Sequence, residues 1–279
     1  MNSNSNKKDT LKKLRSIGFY TLLALVMVWT LFPFLYMVMS SFKTNVDLFN
    51  IDKLFVFKPT LKNYIDVFTL YDFAKPLKNT TIVTCISTVL CLLLGVPAAY
   101  SISRFKQHFF STVILAVRII PGIAFLVPWY VIFTKLGLNG TYVSLILCHM
   151  LIGMPMIVWV MIPYFDKLPK DLEESAMVDG CTRLDSFLRI MLPLSVPGLI
   201  TATLLTFIAS WNNFIFGLIL GTSKTQPLPV AVFSFISYTE VNWGGMMAAS
   251  VVITLPIIII CMLLQKYIIS GLTAGAVKG

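Results

Sequence analysis

Charged side chains are scarce in this sequence, and their scarcity excludes a soluble globular protein. Asp, Glu, Lys and Arg together make up 12% of the 279 residues, whereas 57% are hydrophobic and the mean hydropathy is +0.84. One soluble core could not bury so much apolar surface. A lipid bilayer is therefore the expected solvent for most of the chain.

Two further absences limit the chemistry that the chain can carry. The P-loop pattern G-x-x-x-x-G-K-[ST] is missing, so the chain cannot bind a nucleotide in that way. Four of the five cysteines fall inside apolar stretches, so no disulfide framework is implied. These four are Cys85, Cys91, Cys148 and Cys261. We predict no catalytic residue and no metal site on this chain.

Six apolar stretches are nearly all long enough to span a membrane. A helix that rises about 1.5 Å per residue needs roughly 20 residues to cross a hydrocarbon core of about 30 Å. The stretches cover 17–42, 79–103, 119–134, 136–165, 190–223 and 241–265. The third reaches the required length only when Arg118 is included. The sequence thus predicts an all-α integral membrane protein with six transmembrane helices.

Basic residues predict the orientation of these spans. Five of them precede the first span, and the positive-inside rule then places both termini in the cytoplasm. They are Lys7, Lys8, Lys12, Lys13 and Arg15. The first outer loop is also rich in lysine, but long loops weigh less in this rule. The net charge of +10 is spread over tails and loops, which favours contact with inner-leaflet lipid over nucleic acid.

The predicted organisation has five parts. They are a cytoplasmic tail (1–16), the first transmembrane helix (17–42), an extracytoplasmic loop (43–78), a transmembrane core (79–268) and a second cytoplasmic tail (269–279). The core holds helices two to six and a cytoplasmic loop at 164–196. The polar residues 1–9 are expected to be mobile, with order beginning near Leu14. The first span is too long for a cleaved signal segment and is expected to remain as an anchor.

Proline and glycine interrupt the third and fourth spans. Pro121 and Pro128 lie in the third, and Gly153 and Pro155 lie in the fourth, so neither helix is expected to be straight. Such residues free backbone groups that neighbouring helices or a water-lined cavity must satisfy, which favours a translocation path. Ordinary helix kinking is an equally good reading, since proline is frequent in transmembrane helices.

The pattern of the loop at 164–196 predicts two short helices around a glycine bend. Leu172–Val178 contains good helix formers with acidic residues at its start, where the helix dipole favours negative charge. Gly180 can end that helix. A second helix is predicted over Leu184–Met191 and is expected to stop at Leu192, because proline at 193 disfavours helical geometry in the residue before it.

The same loop carries a spaced motif. It reads Glu174-Ser175-Ala176, three residues, Gly180, nine residues, then Ile190-x-Leu192-Pro193. This resembles the EAA loop of the membrane subunits of ATP-binding-cassette (ABC) importers, with only the first alanine changed, to Ser175. The resemblance implies the type I ABC importer transmembrane fold. An amphipathic loop on the membrane surface is the competing interpretation.

The resemblance also implies how the loop works. In the family, this element docks on a separate ATPase and passes its movement to the spans. Glu174 and Asp179 would face basic or polar groups there, while Ala176 and Gly180 would permit close approach. No cofactor is expected on this chain, since ATP and magnesium would be bound by the partner ATPase.

Further segments resemble one branch of the family. The C-terminal residues 271–279 look like the tail of carbohydrate-importer subunits similar to the smaller membrane subunit of the maltose transporter, and 57–64, 210–214 and 226–230 agree. The resemblance places four tail residues in the ATPase interface. They are Thr273, Ala274, Gly275 and Lys278. It also brings the outer loop at 221–247 against an extracytoplasmic sugar-binding protein.

Within that outer loop, Glu240, Asn242 and Trp243 offer the polar and aromatic contacts of an interface or a sugar site. An ordinary outer loop with Trp243 in the interfacial aromatic belt is the alternative.

Polar residues inside the spans are candidates for the translocation path. These are Arg118, His149, Trp211, Asn212 and Asn213. Arg118 could instead snorkel to the headgroups or form a structural pair. His149 and the two asparagines could instead join helices by hydrogen bonds.

These features predict the permease subunit of an ATP-driven importer in the plasma membrane of a bacterium. Its cargo would be a sugar, most simply an oligosaccharide, delivered by a binding protein. The expected partners are a second, related but different membrane subunit, two ATPase subunits and the binding protein, and a homodimer is the alternative for the membrane pair. A permease for another solute, an ion-coupled transporter or a scaffold are alternatives, although the spans hold no Asp or Glu to carry ions.

Overall fold

The computed structural model describes residues 3–237 and 240–274. Regular structure in these residues is helical, apart from one isolated antiparallel bridge between Ile236 and Val241. Four helices are long and apolar enough to cross a membrane. They are α1 (Ser3–Ser41), α4 (Ala74–Arg104), α7 (Tyr142–Lys167) and α14 (Trp243–Ala274). The other α-helices are α2 (Asn45–Leu48), α3 (Lys62–Thr69), α5 (His108–Ile119), α6 (Leu126–Lys135), α8 (Lys170–Val178), α9 (Arg183–Ser186), α10 (Leu192–Leu194), α11 (Val196–Trp211), α12 (Ile215–Leu220) and α13 (Leu228–Ala231).

Two bent pairs complete the set of candidate spans. His108–Ile119 and Gly122–Lys135 meet at 93°, and Arg183–Leu194 and Val196–Trp211 meet at 77°. With each pair counted as one span, the described residues contain six, which is the number predicted from hydropathy.

The break in the third span lies at Pro121. Ile120, the residue before it, is extended, with φ −68° and ψ 124°. This is the geometry that a following proline favours, because its ring clashes with helical backbone. The prediction of an interrupted third span is therefore confirmed at Pro121.

The fourth span is not divided into separate helices. Its helix α7 runs unbroken over 26 residues with Pro155 inside it. Gly153 serves packing there, because a side chain at that position would meet Cys91 Sγ and Thr206 Cγ2 at 2.8 Å. The glycine lets α4 and α11 approach α7 closely, which is the usual role of small residues between membrane helices.

The N-terminal region differs from the expectation, because helix α1 begins at Ser3 rather than near Leu14. Residues 3–16 contain no proline or glycine and include several lysines of good helix propensity. Once the apolar part of α1 has formed, extending the helix toward the N-terminus needs no new nucleus.

The chain divides into two compact units. One comprises Met1–Tyr71 and Ser234–Val252, and the other comprises Asp72–Phe233 and Ile253–Gly279. In the second unit, α7 packs against both α4 and α11. Their shared core is apolar and closely packed, and it includes Cys91, Ile157, Met161, Phe165 and Ala202.

In the first unit, Asn63 on α3 is buried and ties α3 to the end of α1. Its Nδ2 donates to the carbonyls of Ser41 at 2.8 Å and Lys43 at 2.7 Å. These bonds satisfy two backbone acceptors where the helix ends.

Candidate coupling surface and translocation cavity

The loop at 164–196 contains the two helices and the glycine bend predicted for it. Helix α8 ends in a left-handed turn at Gly180, with φ +89°, and Cys181 N–H donates back to Ala176 O at 2.9 Å. This is a common way for glycine to end a helix. Thr182 then caps α9, because its hydroxyl accepts from the Asp185 N–H and the Asp185 carboxylate accepts from the Thr182 N–H.

The expected stop at Leu192 is wrong. After α9 the chain forms a π-helical turn over Phe187–Met191 and continues through Pro193 in α10, so that the bend comes at Ser195. Leu192 N–H donates to Phe187 O, five residues back. This wider turn relieves the clash between a proline ring and the carbonyl four residues before it.

The residues of the motif face two ways. Glu174, Ser175, Asp179 and Gly180 are exposed. Ala176 is only 5% exposed and lies on the inward side of α8. Ile190 and Leu192 are half-buried against the α4–α7–α11 core, and Pro193 is exposed.

Sequence reasoning missed a charged pair beneath this loop. Glu173 is buried, and its Oε2 lies 2.9 Å from Arg104 Nε at the end of α4. Tyr100 OH also donates to this carboxylate. The sequence around Glu173 does not indicate this pair, because Arg104 lies on a different helix.

Two of the four predicted tail contacts belong to the described residues. Thr273 and Ala274 belong to the last turn of α14. Gly275 and Lys278 lie outside the described residues.

A cavity of about 460 Å³ lies where α11 gives way to α12. It is lined mainly by apolar side chains, with the amides of Asn212 and Asn213 among them. The helix is interrupted there, since α11 ends at Trp211 and Asn213 Oδ1 accepts from Phe216 N–H at the start of α12. The interruption had not been predicted, because the apolar run continues on both sides of the asparagines.

A second cavity, of about 200 Å³, follows the break in the third span and is lined by Arg118 and Pro121. Gly122 and Ile152 line both cavities. Arg118 is exposed, and its guanidinium lies 3.8 Å from the ring centroid of Trp159, which is a cation–π contact. Three of the five predicted path residues therefore border cavities.

The other two lie inside the helix packing. Trp211 is 3% exposed and donates from Nε1 to Ile253 O at 3.1 Å. His149 is also buried, and its Nδ1 shares a 2.6 Å hydrogen bond with Ser210 Oγ. These positions agree with the alternative that such residues join neighbouring helices.

The candidates in the loop predicted to be extracytoplasmic lie in the first unit. Glu240 is exposed and accepts from Asn45 Nδ2 at 3.3 Å, and Trp243 is 40% exposed. Asn242 is partly used by the fold, since its Oδ1 accepts from Gly245 N–H at the start of α14.

The first unit also contains an ion pair in the loop after α1. Lys53 Nζ lies 2.5 Å from Asp47 Oδ1. The hydrogen bond with Lys53 is the main reason that the pKa of the Asp47 carboxyl lies below its ordinary value of 3.8, and a hydrogen bond with Thr44 is the second.

Comparison with known proteins identifies the family. Residues 91–273 match the family described as binding-protein-dependent transport system inner membrane component. A probable ABC transporter permease of Sinorhizobium fredii is 36% identical over 98% of this chain and 99% of its own length. The trehalose/maltose transport system permease protein MalG of Thermococcus litoralis is 37% identical with the same coverage.

The fold is also found in a solved structure. A bacterial ABC transporter involved in the import of the polysaccharide alginate has a chain that superimposes with a TM-score of 0.78. That chain is 24% identical, and the match covers 91% of this chain and 96% of that one. The predicted all-α importer fold is confirmed. This multi-pass chain therefore belongs to the inner membrane permease components of binding-protein-dependent ABC transport systems.

Proposed function

We propose that this permease imports a sugar of oligosaccharide size. Relatives over nearly the whole chain are named for trehalose or maltose, and another, from Streptomyces coelicolor, is named for diacetylchitobiose. A methionine importer shares the fold at a TM-score of 0.58, so fold alone does not choose the cargo. The cavity at Asn212 and Asn213 supports a sugar, because amides among apolar walls can hydrogen-bond hydroxyl groups.

The exposed face of α8 is the observation that carries the proposed coupling. Glu174 and Asp179 present carboxylates to solvent beside Gly180. Apart from the two chain neighbours, no heavy atom of the described residues would lie within 4 Å of a Cβ added at Gly180. An acidic face next to open space suits a basic or polar groove on a partner. A separate ATPase, which binds ATP and magnesium, would dock there.

The remaining partners follow from the same architecture. A binding protein would meet the outer loop at Glu240, Asn242 and Trp243. A second, related membrane subunit would complete the pore, and two ATPase subunits would serve the pair. The basic residues before the first span favour cytoplasmic termini.

Copurification tests this function. The chain, tagged and extracted in mild detergent from its own cells, should bring an ATPase and a second permease with it. ATP hydrolysis by the complex should rise when the binding protein and its sugar are added. Solute uptake by the chain without any ATPase subunit would contradict an ATP-driven importer.

The cargo is tested through the binding protein. Calorimetric titration with a panel of disaccharides, longer oligosaccharides and amino acids should give saturable binding of a sugar only. Binding of an amino acid with no response to sugars would contradict the proposed cargo and leave the importer assignment intact.

A further inference from the structure

Arg104 contacts several segments of the loop at 164–196 at once. It is the last residue of α4, and its side chain is 7% exposed. Besides the ion pair with Glu173, Nη1 donates to Leu168 O at 3.2 Å, between α7 and α8. Nη2 lies 3.8 Å from Met191 Sδ in the π-helical turn. One guanidinium thus joins the end of a membrane helix to three parts of the loop.

Tyr100 reinforces this junction from one turn earlier on α4. Its hydroxyl donates to Glu173 Oε1, so both carboxylate oxygens have a partner on α4. Its ring centroid lies 4.7 Å from that of Phe187 and 5.6 Å from that of Phe165. The loop is therefore held to α4 by aromatic packing as well as by charge.

The burial of the pair makes the junction hard to open. A buried charge is costly unless its partner stays close, because the interior cannot solvate it as water does. If α8 moved away from α4, Arg104 and Glu173 would both lose that compensation. Displacement of α8 should instead carry α4 along.

The packing of α4 indicates which part of the molecule such a movement would reach. Helix α4 packs along α7 and α11, and Ile152 of α7 and Asn212 at the end of α11 line the larger cavity. The exposed carboxylate of Glu174 lies on the same helix as the buried Glu173. A displacement of α8 at its exposed face can thus be transmitted to the helices around the cavity through one ion pair.

We propose that Arg104 is a positioning residue that locks α8 to α4. Displacement of α8 by the ATPase would then be transmitted to the helices around the cavity. This inference rests on the proposed function and assigns a specific residue pair to its coupling step.

A second ion pair near the same junction supplies a control. Lys106 Nζ lies 3.5 Å from Asp166 Oδ1, but the two side chains are 56% and 42% exposed. Exposed pairs of this kind contribute little. Lys106 has a positive φ of 52°, so asparagine, which tolerates that conformation, is the suitable replacement.

The test compares Arg104→Gln, Arg104→Lys and Lys106→Asn in the importer purified with its own partners. In Arg104→Gln we expect the amount of sugar transported per ATP hydrolysed to fall by about tenfold, within the usual range of coupling between sites. Arg104→Lys keeps the positive charge near Glu173 and should recover most of the ratio. Lys106→Asn should match the wild type.

The outcomes separate a coupling role from a merely structural one. A wild-type transport ratio in assembled Arg104→Gln would overturn the inference. If that variant fails to assemble, the double variant Arg104→Met, Glu173→Met removes both charges and avoids an unpaired one. It should assemble yet remain uncoupled, and a wild-type ratio would refute the lock. Absence of stimulated hydrolysis in the wild-type complex would instead contradict the proposed function.

Discussion

Replacing Gly153 by alanine measures how tightly the three-helix core is packed. The new Cβ would lie 2.8 Å from both Cys91 Sγ on α4 and Thr206 Cγ2 on α11, whereas carbon contacts are ordinarily about 3.5–4.0 Å. Such overpacking costs about 1–3 kcal/mol. The better helix propensity of alanine returns about 1 kcal/mol. Because Thr206 is β-branched and stiff, we place the clash in the upper part of its range and expect a net loss of about 1–2 kcal/mol.

Thermal unfolding of the purified chain in detergent is the assay. A loss of that size should lower the midpoint by roughly 2–8 °C. Adding Cys91→Ala removes the Sγ contact and should restore part of the loss. Gly18→Ala is the control, because a Cβ added there would meet nothing within 4 Å in the described residues beyond its own helix backbone and chain neighbours. The packing argument fails if Gly153→Ala unfolds at or above the wild-type midpoint, or if Cys91→Ala gives no relief.

Substitutions at three further positions test the site and its surroundings. Gly180→Leu should leave the chain in the membrane but lower binding-protein-stimulated ATP hydrolysis by about tenfold. Gly180→Asn should lose less of this stimulation, because asparagine tolerates positive φ. Normal stimulation in the leucine variant would refute docking at the bend. Asn212→Ala should reduce sugar uptake at unchanged assembly, and unchanged uptake would remove Asn212 from the path. Ser210→Ala leaves His149 Nδ1 without its partner and should cost about 1–3 kcal/mol of stability, whereas an unchanged unfolding midpoint would show that the bond contributes nothing.

Features that depend on local chemistry could be predicted from the sequence. The lengths of the apolar stretches predicted the number of spans, and Pro121 predicted the break in the third span. The turn at Gly180 follows from the freedom of glycine at positive φ. Each of these needs only a few neighbouring residues.

Features that depend on distant partners could not be predicted in this way. Pro193 was expected to end a helix, but a π-helical turn stabilised by the surrounding packing carries the chain through it. Glu173 and Glu174 are adjacent acids in the sequence, and only the fold shows that Arg104 takes one of them inward. The burial of His149 against Ser210 likewise depends on the packing of α7 with α11.

Cysteine cross-linking at Glu174 tests the central claim most directly. In the purified importer with Cys181 changed to serine, Glu174→Cys should cross-link to the ATPase through a short bifunctional thiol-to-amine reagent. Val46→Cys, 78% exposed in the loop predicted to be extracytoplasmic, is the control and should not cross-link to it. Efficient capture of the ATPase by Glu174→Cys alone is the predicted result. Capture from position 46, or none from position 174 in an assembled and active complex, would contradict docking on the exposed face of α8.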